Sequence, residues 1–274
     1  MSGRVLVDGS AADRVSALDR GLAYGDGLFE TIRVLRGVAP LRERHMARLR
    51  EGCERLALPG PDVDALSREL ASVAEGMADA VVKIVLTRGV GARGYAPSVP
   101  ASVTRIVAAF AAPAVPADWY RDGITVRCCA LRLAAQPRLA GIKHLNRLEQ
   151  VLARAEWSDP GVVEGLLFDR DDRLVSATAA NAFVVIDGRT LTPPVDTCGV
   201  AGVLRGALLD AMPGVVVQPI ARDDLMRASE VFLTSSVRGV LPVRAIDGRV
   251  RVVGPQARIA QTVWHDLGFA GVEP

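Results

Sequence analysis

The sequence has few of the residues that build metal centres or disulfide frameworks. Its 274 residues include four cysteines, with no C-x-x-C pair, and three histidines that lie far apart in the chain. A metal site and a disulfide-stabilised small domain are therefore both disfavoured, and we expect the cysteines to be free and mostly buried thiols. Chemistry without a metal requires lysine, serine, threonine or carboxylate side chains, or an organic cofactor.

Long apolar runs and runs of one charge sign are also missing. No stretch approaches the roughly eighteen uncharged apolar residues of a membrane-spanning helix, and the first residues lack the pattern of a secretion signal. The 33 basic and 31 acidic residues leave a formal charge of +2, and both signs are dispersed along the chain. This balance argues against binding to nucleic acid or to a membrane, and a cytoplasmic location is expected.

Half of the residues are apolar, which is enough for a sizeable core. In the first part of the chain, β-rich runs and two amphipathic stretches predict strands at 5–7, 31–35, 81–87 and 104–110 and helices at 41–58 and 63–73. A segment at 113–120, rich in proline and small residues, is interpreted as a linker. The predicted domains are therefore a small one at 1–112 and a larger one at 121–274.

The larger domain is predicted to be rich in strands. Its strands are expected at 124–129, 165–168, 181–186, 215–218, 231–234 and 243–246, and its helices at 144–156, 203–212 and 255–267. This is an α+β pattern without the β-α-β alternation of a doubly wound fold.

Lysine is scarce, because arginine supplies nearly all of the positive charge. The two lysines are Lys83, in the strand-like run VVKIVLT, and Lys143, between a glycine and a helical pattern. Lys83 is interpreted as an edge lysine or one whose amine reaches into solvent. Composition alone would make Lys143 a surface residue as well, although a lysine at a strand end can project into a cleft.

Six segments, in order along nearly the whole chain, resemble the fold-type IV pyridoxal-phosphate enzymes. They are residues 19–33, 45–49, 87–95, 140–154, 176–183 and 199–206. The family includes branched-chain and D-amino acid aminotransferases and 4-amino-4-deoxychorismate lyase, and the words IKHLNRLEQVL and TRGVGARGY are similar to the lyase branch. The resemblance implies a small α/β N-terminal domain, a larger strand-rich pseudo-barrel domain that carries the Schiff-base lysine, bound pyridoxal 5'-phosphate and a homodimer.

The resemblance also assigns cofactor contacts, position by position. Lys143 would bind the cofactor aldehyde and, once displaced by the substrate amine, would act as the general base. The cofactor phosphate would bind the guanidinium of Arg48, the backbone N–H groups of Val203 and Leu204 at a helix start, and the hydroxyl of Ser236.

One position departs from the family pattern. The family has a glutamate five residues before Asn181, in the cofactor-binding word SATAANAF, where it pairs with the protonated ring nitrogen; here that residue is Ser176. A carboxylate keeps the nitrogen protonated and makes the ring a strong electron sink, whereas a hydroxyl can bind a neutral nitrogen. Ser176 therefore weakens an aminotransferase interpretation. A lyase reaction that ends in an aromatic product has its own driving force and tolerates the change.

The implied lyase substrate carries two carboxylates, which predicts basic side chains in the outer pocket. Arg93 and Arg105 are the candidates. Thr31 occupies the position where lyases of this family have a threonine near the substrate, and it could protonate the departing enolpyruvyl methylene, although a β-branched residue is also ordinary in a strand. Tyr24 and Asp26, in the word YGDG, are expected to shape the pocket floor or a subunit contact.

Three hypotheses of function remain open. The first is a lyase that converts 4-amino-4-deoxychorismate to 4-aminobenzoate and pyruvate in the route to folate. The second is a D-amino acid or branched-chain aminotransferase, and the third is a cofactor-binding protein without turnover. Ser176 and the word IKHLNRLEQ favour the lyase.

Overall fold

The computed structural model describes residues 4–97 and 99–269. The chain divides into two units: Met1–Pro113 together with Ile142–Asn146, and Ala114–Gly141 together with Arg147–Pro274. The division near residue 113 lies at the start of the predicted linker. The segment with Lys143, however, belongs to the first unit, whereas the sequence pattern had assigned this lysine to the larger domain.

The first unit is an antiparallel sheet of five strands, combined with three helices. The strands are β1 (Arg4–Val7), β2 (Ser10–Ala11), β3 (Gly27–Leu35), β4 (Asp79–Thr87) and β5 (Thr104–Ala111). The helices are α1 (Arg20–Tyr24), α2 (Arg42–Arg55) and α3 (Val63–Ala74). The strand order is β2-β1-β5-β4-β3, so β3 is the last strand of the sheet.

Helices α2 and α3 pack against this sheet and form its core. Met46, Leu49 and Cys53 recur at steps of three and four residues along α2 and are all buried, as expected for one apolar helix face. The side chains of Leu28 and Ile32 on β3 are buried as well. The alternation of strand side chains thus gives β3 one face toward the core and a second, half-buried face.

The second unit is built on a nine-stranded mixed sheet. Its strands are β6 (Ile124–Leu133), β7 (Val162–Asp169), β8 (Leu174–Ala177), β9 (Asn181–Ile186), β10 (Arg189–Thr192), β11 (Val216–Val217), β12 (Glu230–Ser235), β13 (Gly239–Ile246) and β14 (Arg249–Val250). Its helices are α4 (Ala117–Arg121), α5 (Leu148–Arg154), α6 (Val203–Ala211), α7 (Arg222–Arg227) and α8 (Pro255–Trp264). The strand order is β11-β10-β9-β12-β13-β6-β7-β8, with β14 paired to β13.

Three local features differ from the sequence-based expectations. Strands β6 and β7 pair in parallel, with α5 between them in sequence, so the second unit contains a β-α-β crossover. Helix α4 begins within the predicted linker, where Tyr120 is buried, stacks on Trp264 and donates its hydroxyl to the carbonyl of Arg238 at 2.9 Å. The helix expected from residue 144 begins only at Leu148.

The composition-based prediction for the cysteines is confirmed. Cys53, Cys128, Cys129 and Cys198 are all buried and free. Burial raises the pKa of each thiol above its ordinary value, so the thiols are poor nucleophiles at neutral pH. Within residues 4–97 and 99–269, no helix has the length and apolar character needed to span a membrane.

Candidate active site

Lys143 lies in a short extended segment, Ile142–Asn146, that pairs with the outer edge of β3. The backbone N–H of Phe29 donates to the carbonyl of Lys143 at 2.9 Å, and that of Leu145 donates to the carbonyl of Gly27 at 3.0 Å. This antiparallel pairing sets Lys143 opposite Phe29. Its Nζ lies 4.3 Å from the centroid of the Phe29 ring. The lysine amine is therefore held over an aromatic face, which attracts a cation.

Thr31 lies two residues beyond Phe29 and so belongs to the same face of β3. It is half-buried, and its partner across the strand pair is Lys83 on β4. The Nζ of Lys83 lies 5.5 Å from the centroid of the Phe29 ring. One sheet face thus carries a hydroxyl and both lysines of the chain. Lys83 is exposed, as its interpretation required, but β4 is an inner strand and not an edge.

Glu30 belongs to the other face of β3, where α2 packs. Its Oε1 accepts a hydrogen bond from Nε of Arg48 at 2.8 Å, and its Oε2 accepts one from Nη2 of Arg48 at 2.5 Å. Nδ1 of His45 lies 2.6 Å from the same Oε2. Glu30 and His45 are each 1% exposed. We call Glu30, His45 and Arg48 the Glu30 cluster.

The protonation states of the Glu30 cluster follow from burial and charge. Burial opposes the ionisation of Glu30, but the charge of Arg48 and the hydrogen bonds from His45 and Arg48 outweigh it and lower its pKa to about 2. Burial lowers the pKa of His45 and outweighs the opposing effect of Glu30; the charges of Arg48 and Lys143 lower it further. At neutral pH, Glu30 is therefore ionised and neutral His45 donates to it through Nδ1.

Protonation of Glu30 is expected to destabilise the protein in acid. The carboxyl has a pKa of about 2 in the folded chain against an ordinary value of 4.5, so the unfolded chain binds the proton first and stability falls as the pH drops through this range. Between pH 5 and pH 3, the Glu30→Gln variant should lose less unfolding free energy than the wild type, by about 2 kcal/mol. Urea unfolding at the two pH values measures this difference. An equal loss in both proteins would contradict the assigned ionisation.

The first turn of α6 presents backbone donors suited to an anion. Val203 and Leu204 begin this helix and are buried, and the preceding Gly202 has no side chain to cap them. N–H groups in a first helical turn lack partners within the helix and favour a phosphate. A Cβ at Gly202 would lie 2.0 Å from Oδ1 of Asn181, so this helix start requires glycine. Asn181 donates Nδ2 to the carbonyl of Val200 at 2.9 Å and so supports the loop before the helix.

Ser176 is a buried residue of β8, paired with Leu167 of β7. A carboxylate is present in the same strand pair, at Glu164 of β7, which is 3% exposed. It accepts a hydrogen bond from the hydroxyl of Thr178 and pairs with the guanidinium of Arg238. The polar group at the position of the family glutamate is therefore a hydroxyl, and the nearby buried carboxylate is already neutralised by an arginine.

Ser236 lies in the turn between β12 and β13 and is half-buried. Two contacts of Arg238 fix this turn. Its backbone N–H donates to Oγ of Ser235 at 3.0 Å, and its guanidinium binds Glu164. The backbone that carries the Ser236 hydroxyl is thereby tied to β7.

The two arginines predicted to bind substrate carboxylates have different surroundings. Arg105 donates from Nε and Nη2 to the carboxylate of Glu69 on α3, at 2.7 and 2.6 Å. A substrate carboxylate at Arg105 would therefore have to compete with Glu69. Arg93 is exposed, in the loop after β4.

Arg20 holds the loop that carries Arg93. Its guanidinium donates to the carbonyls of Gly94 and Tyr95 at 2.9 and 3.1 Å. Its guanidinium carbon lies 4.9 Å from the ring centroid of Tyr24, and the ring centroids of Tyr24 and Tyr95 are 5.5 Å apart. Tyr24 therefore packs over the buried arginine that fixes this loop.

Asp26 neutralises the charge of this arginine. Its carboxylate accepts from Nε of Arg20 and from Nε of Arg88, each at 2.9 Å. Arg88 also donates to the carbonyls of Leu56 and Ala57, at 2.6 and 3.1 Å. Asp26 thus links α1, the end of β4 and the end of α2.

Sequence reasoning did not single out Glu30, Glu164 or Arg238. The sequence pattern does indicate that Glu30 is unusual, because period-two alternation along the strand places it on the same face as Leu28 and Ile32. A carboxylate in a row of core positions requires a buried partner. The sequence does not predict which residue is that partner, because Arg48 lies on a different element, α2.

The chain is similar to known proteins over most of its length. Residues 27–246 match the family described as amino-transferase class IV. The aminodeoxychorismate lyase of Vibrio harveyi is 34% identical over 244 residues, which cover 88% of this chain and 90% of that protein. The D-alanine aminotransferase of Bacillus licheniformis is 27% identical over 278 residues, covering 94% and 95% of the two chains.

A solved structure gives the same result. The crystal structure of 4-amino-4-deoxychorismate lyase from Pseudomonas aeruginosa matches with a TM-score of 0.91 and 47% identity, covering 96% of this chain and 98% of that chain. The predicted α+β fold of the fold-type IV enzymes is therefore confirmed. The chain belongs to the amino-transferase class IV family.

Proposed function

We propose that the protein is a pyridoxal-phosphate-dependent lyase that converts 4-amino-4-deoxychorismate to 4-aminobenzoate and pyruvate. The 47% identity to the Pseudomonas aeruginosa lyase, over 96% of this chain, is the observation that carries the proposal. 4-Aminobenzoate is a folate precursor, which places the reaction in folate synthesis. Four buried, free cysteines are typical of a cytoplasmic protein.

The residues present fit pyridoxal phosphate. When bound, this cofactor supplies an electron sink for a substrate amine. Lys143 offers the amine that holds the aldehyde, and the buried first turn of α6 offers the N–H groups of Val203 and Leu204 to the phosphate. The resemblance assigns the guanidinium of Arg48 and the hydroxyl of Ser236 to the phosphate as well. Ser176 would offer a hydroxyl, in place of a carboxylate, to the ring nitrogen.

Thr31 on β3 and Lys143 on the segment that pairs with β3 divide the proton transfers. Lys143, once displaced by the substrate amine, removes the proton from C4 of the substrate ring. The bond between C3 and the enolpyruvyl oxygen then breaks and the ring becomes aromatic. Thr31 donates a proton to the methylene of the departing group, which becomes pyruvate, and the proton that Lys143 took from C4 restores the threonine hydroxyl. Phe29, beneath the lysine amine at 4.3 Å, sets the position of the base.

The substrate carboxylates are assigned to the loop after β4. Arg93 supplies the guanidinium, and Tyr24 packs against this loop through Tyr95. Arg105 contributes only if a substrate carboxylate displaces Glu69 from it. These assignments predict that Arg93→Ala raises KM more than it lowers kcat.

A coupled assay on purified protein with added pyridoxal phosphate tests the proposed reaction. It follows the fluorescence of 4-aminobenzoate formed from enzymatically generated aminodeoxychorismate, beside a panel of amino acids with 2-oxoglutarate. We expect 4-aminobenzoate formation and little transamination. The opposite result would assign the chain to the aminotransferase branch. Bound cofactor with neither activity would support a binding protein.

The aminotransferase is the second candidate, and the Bacillus licheniformis relative favours it, but Ser176 opposes it. Ser176→Glu should raise transamination of simple amino acids at least about tenfold, roughly 1.4 kcal/mol in the barrier, because a carboxylate keeps the ring nitrogen protonated. The half-reaction with each amino acid measures the rate. Ser176→Ala is the control, since it removes the hydroxyl without adding a charge. Unchanged transamination in the glutamate variant would contradict the position assigned to Ser176.

We also propose that the protein is a homodimer in which α5 packs against a second copy of the chain. Leu148, Val151 and Leu152 lie at helical spacing on one face of α5 and are 75, 59 and 60% exposed. A contiguous apolar face of this kind is typical of an interface. Leu152→Asp should halve the mass measured by light scattering after gel filtration. Val250→Asp changes an apolar residue on β14 that is even more exposed, at 84%, and should leave the mass unchanged. A dimeric Leu152→Asp protein would contradict the assigned interface.

A further inference from the structure

We propose that Glu30 is a positioning residue for recognition of the cofactor phosphate, because it fixes the guanidinium of Arg48 in the orientation that binds this group. The proposal rests on the proposed function, which assigns Arg48 to the phosphate. It adds a residue on the helix-facing side of β3, the face opposite Phe29, Thr31 and Lys143. Its function is to orient Arg48, and it does not contact the reacting atoms.

The geometry shows how Glu30 restrains Arg48. Both oxygens of the carboxylate are used, one by Nε and one by Nη2 of the guanidinium. Two parallel hydrogen bonds between planar groups fix the plane of an arginine as well as its position. A single bond would allow the guanidinium to rotate. Glu30 lies within a nine-residue strand that pairs with β4 along its whole length, so its carboxylate has a rigid support.

The electrostatics give the pair a second role. A buried arginine without a counter-charge costs several kcal/mol, and the Arg48 side chain is 9% exposed. Glu30 provides that counter-charge, and neutral His45 completes the cluster by donating to Glu30 from α2. Arg48 is therefore held in place before a phosphate arrives, and binding does not have to order it.

The proposal and a simple charge argument predict opposite changes in phosphate affinity when the charge of Glu30 is removed. Glu30 is an anion close to the site assigned to an anionic phosphate, so removal of its charge should tighten phosphate binding if charge alone mattered. If Glu30 acts by orienting Arg48, its removal should weaken binding instead. The two explanations are separated by the direction of one measured change.

The experiment compares pyridoxal phosphate with pyridoxal, which has the same aldehyde ring but no phosphate. Both are titrated by absorbance into the full-length chain after its cofactor has been removed. Glu30→Gln should bind pyridoxal phosphate about tenfold more weakly than the wild type. Its affinity for pyridoxal should be unchanged. Weaker binding of both compounds would indicate general damage to the fold and overturn the proposal, as would unchanged or tighter binding of pyridoxal phosphate.

A matched control and a second variant complete the test. Glu69→Gln removes the carboxylate from an equivalent two-bond pair, with Arg105 on β5, and should not change the affinity for pyridoxal phosphate. Glu30→Asp keeps the charge but withdraws the carboxylate by one methylene. It should also weaken binding of pyridoxal phosphate selectively, and it replaces Glu30→Gln if that variant does not fold.

A double variant tests whether Glu30 acts through Arg48. In an Arg48→Lys background, which lacks the planar guanidinium, Glu30→Gln should cause no further selective loss. A full additional tenfold loss would show that Glu30 acts independently and would overturn the proposal. Failure of the proposed function is distinguishable from this outcome, because the wild-type chain itself would then not prefer pyridoxal phosphate to pyridoxal.

Discussion

Replacement of Lys143 by alanine is expected to reduce 4-aminobenzoate formation at least about 1,000-fold. The variant loses both the amine that holds the cofactor and the base that removes the C4 proton. The visible absorbance band of the covalently held cofactor should disappear with the activity. Mass spectrometry after borohydride treatment should find no reduced adduct on the variant, whereas the wild type should carry one at Lys143.

Lys83 provides the matched control for covalent attachment. Its amine also approaches the Phe29 ring, at 5.5 Å against 4.3 Å for Lys143, and it is the second of only two lysines in the chain. Lys83→Ala should retain the reducible adduct. An adduct that persists in Lys143→Ala and is found on Lys83 would refute the assignment of Lys143.

Thr31→Val should lower kcat for the lyase reaction about 100-fold, the second largest effect expected. Valine keeps the β-branched shape that suits a strand but cannot donate a proton to the enolpyruvyl methylene. Binding of the cofactor should be unchanged, because Thr31 is not assigned to it. Steady-state kinetics and the absorbance of the bound cofactor together measure the two quantities.

Thr31→Ser distinguishes a proton donor from a packing residue. Serine restores the hydroxyl but removes the methyl group, so most of the activity should return if the hydroxyl is the donor. A serine variant as slow as the valine variant would indicate that the role of Thr31 is its shape. Normal kcat in the valine variant would assign the proton transfer to another group.

The sequence predicts function best where short sequence motifs carry it. Lys143 stands out because lysine is rare in this chain and because the words around it resemble those of the lyase branch. The apolar, β-rich runs also predict β4 and β9 closely, since short runs of this kind are typical of strands that are largely buried. These features are local, and a single sequence contains them.

Features that depend on contacts between residues distant in the chain could not be predicted from a single sequence. The residues after Lys143 have a helical period, but the helix predicted from residue 144 begins four residues later, at Leu148, because residues 142–146 pair with β3. Tertiary pairing overrides local propensity there. The role of Arg48 was implied by resemblance alone, and its pairing with Glu30 emerged only from the packing of α2 on β3.

Ser176 shows a different limit. The resemblance places Ser176 where the family has a glutamate, and the residues on either side are not acidic either. It did not indicate that Glu164 lies in the adjacent strand, bound to Arg238. A nearby carboxylate does not replace the family glutamate when its charge is already neutralised.

The pairing of 142–146 with β3 limits how this chain can be divided. β3 is the last strand of its sheet, and a strand in that position exposes unpaired N–H and C=O groups to other chains. The segment that pairs with this edge, Ile142–Asn146, follows Pro113 in the chain by 28 residues of the second unit, and the residues after it belong to the second unit again. A fragment that ends at Pro113 would therefore retain all five strands and still have a bare edge. The two units are not interchangeable modules, and recombination between relatives should succeed only when β3 and the lysine segment are inherited together.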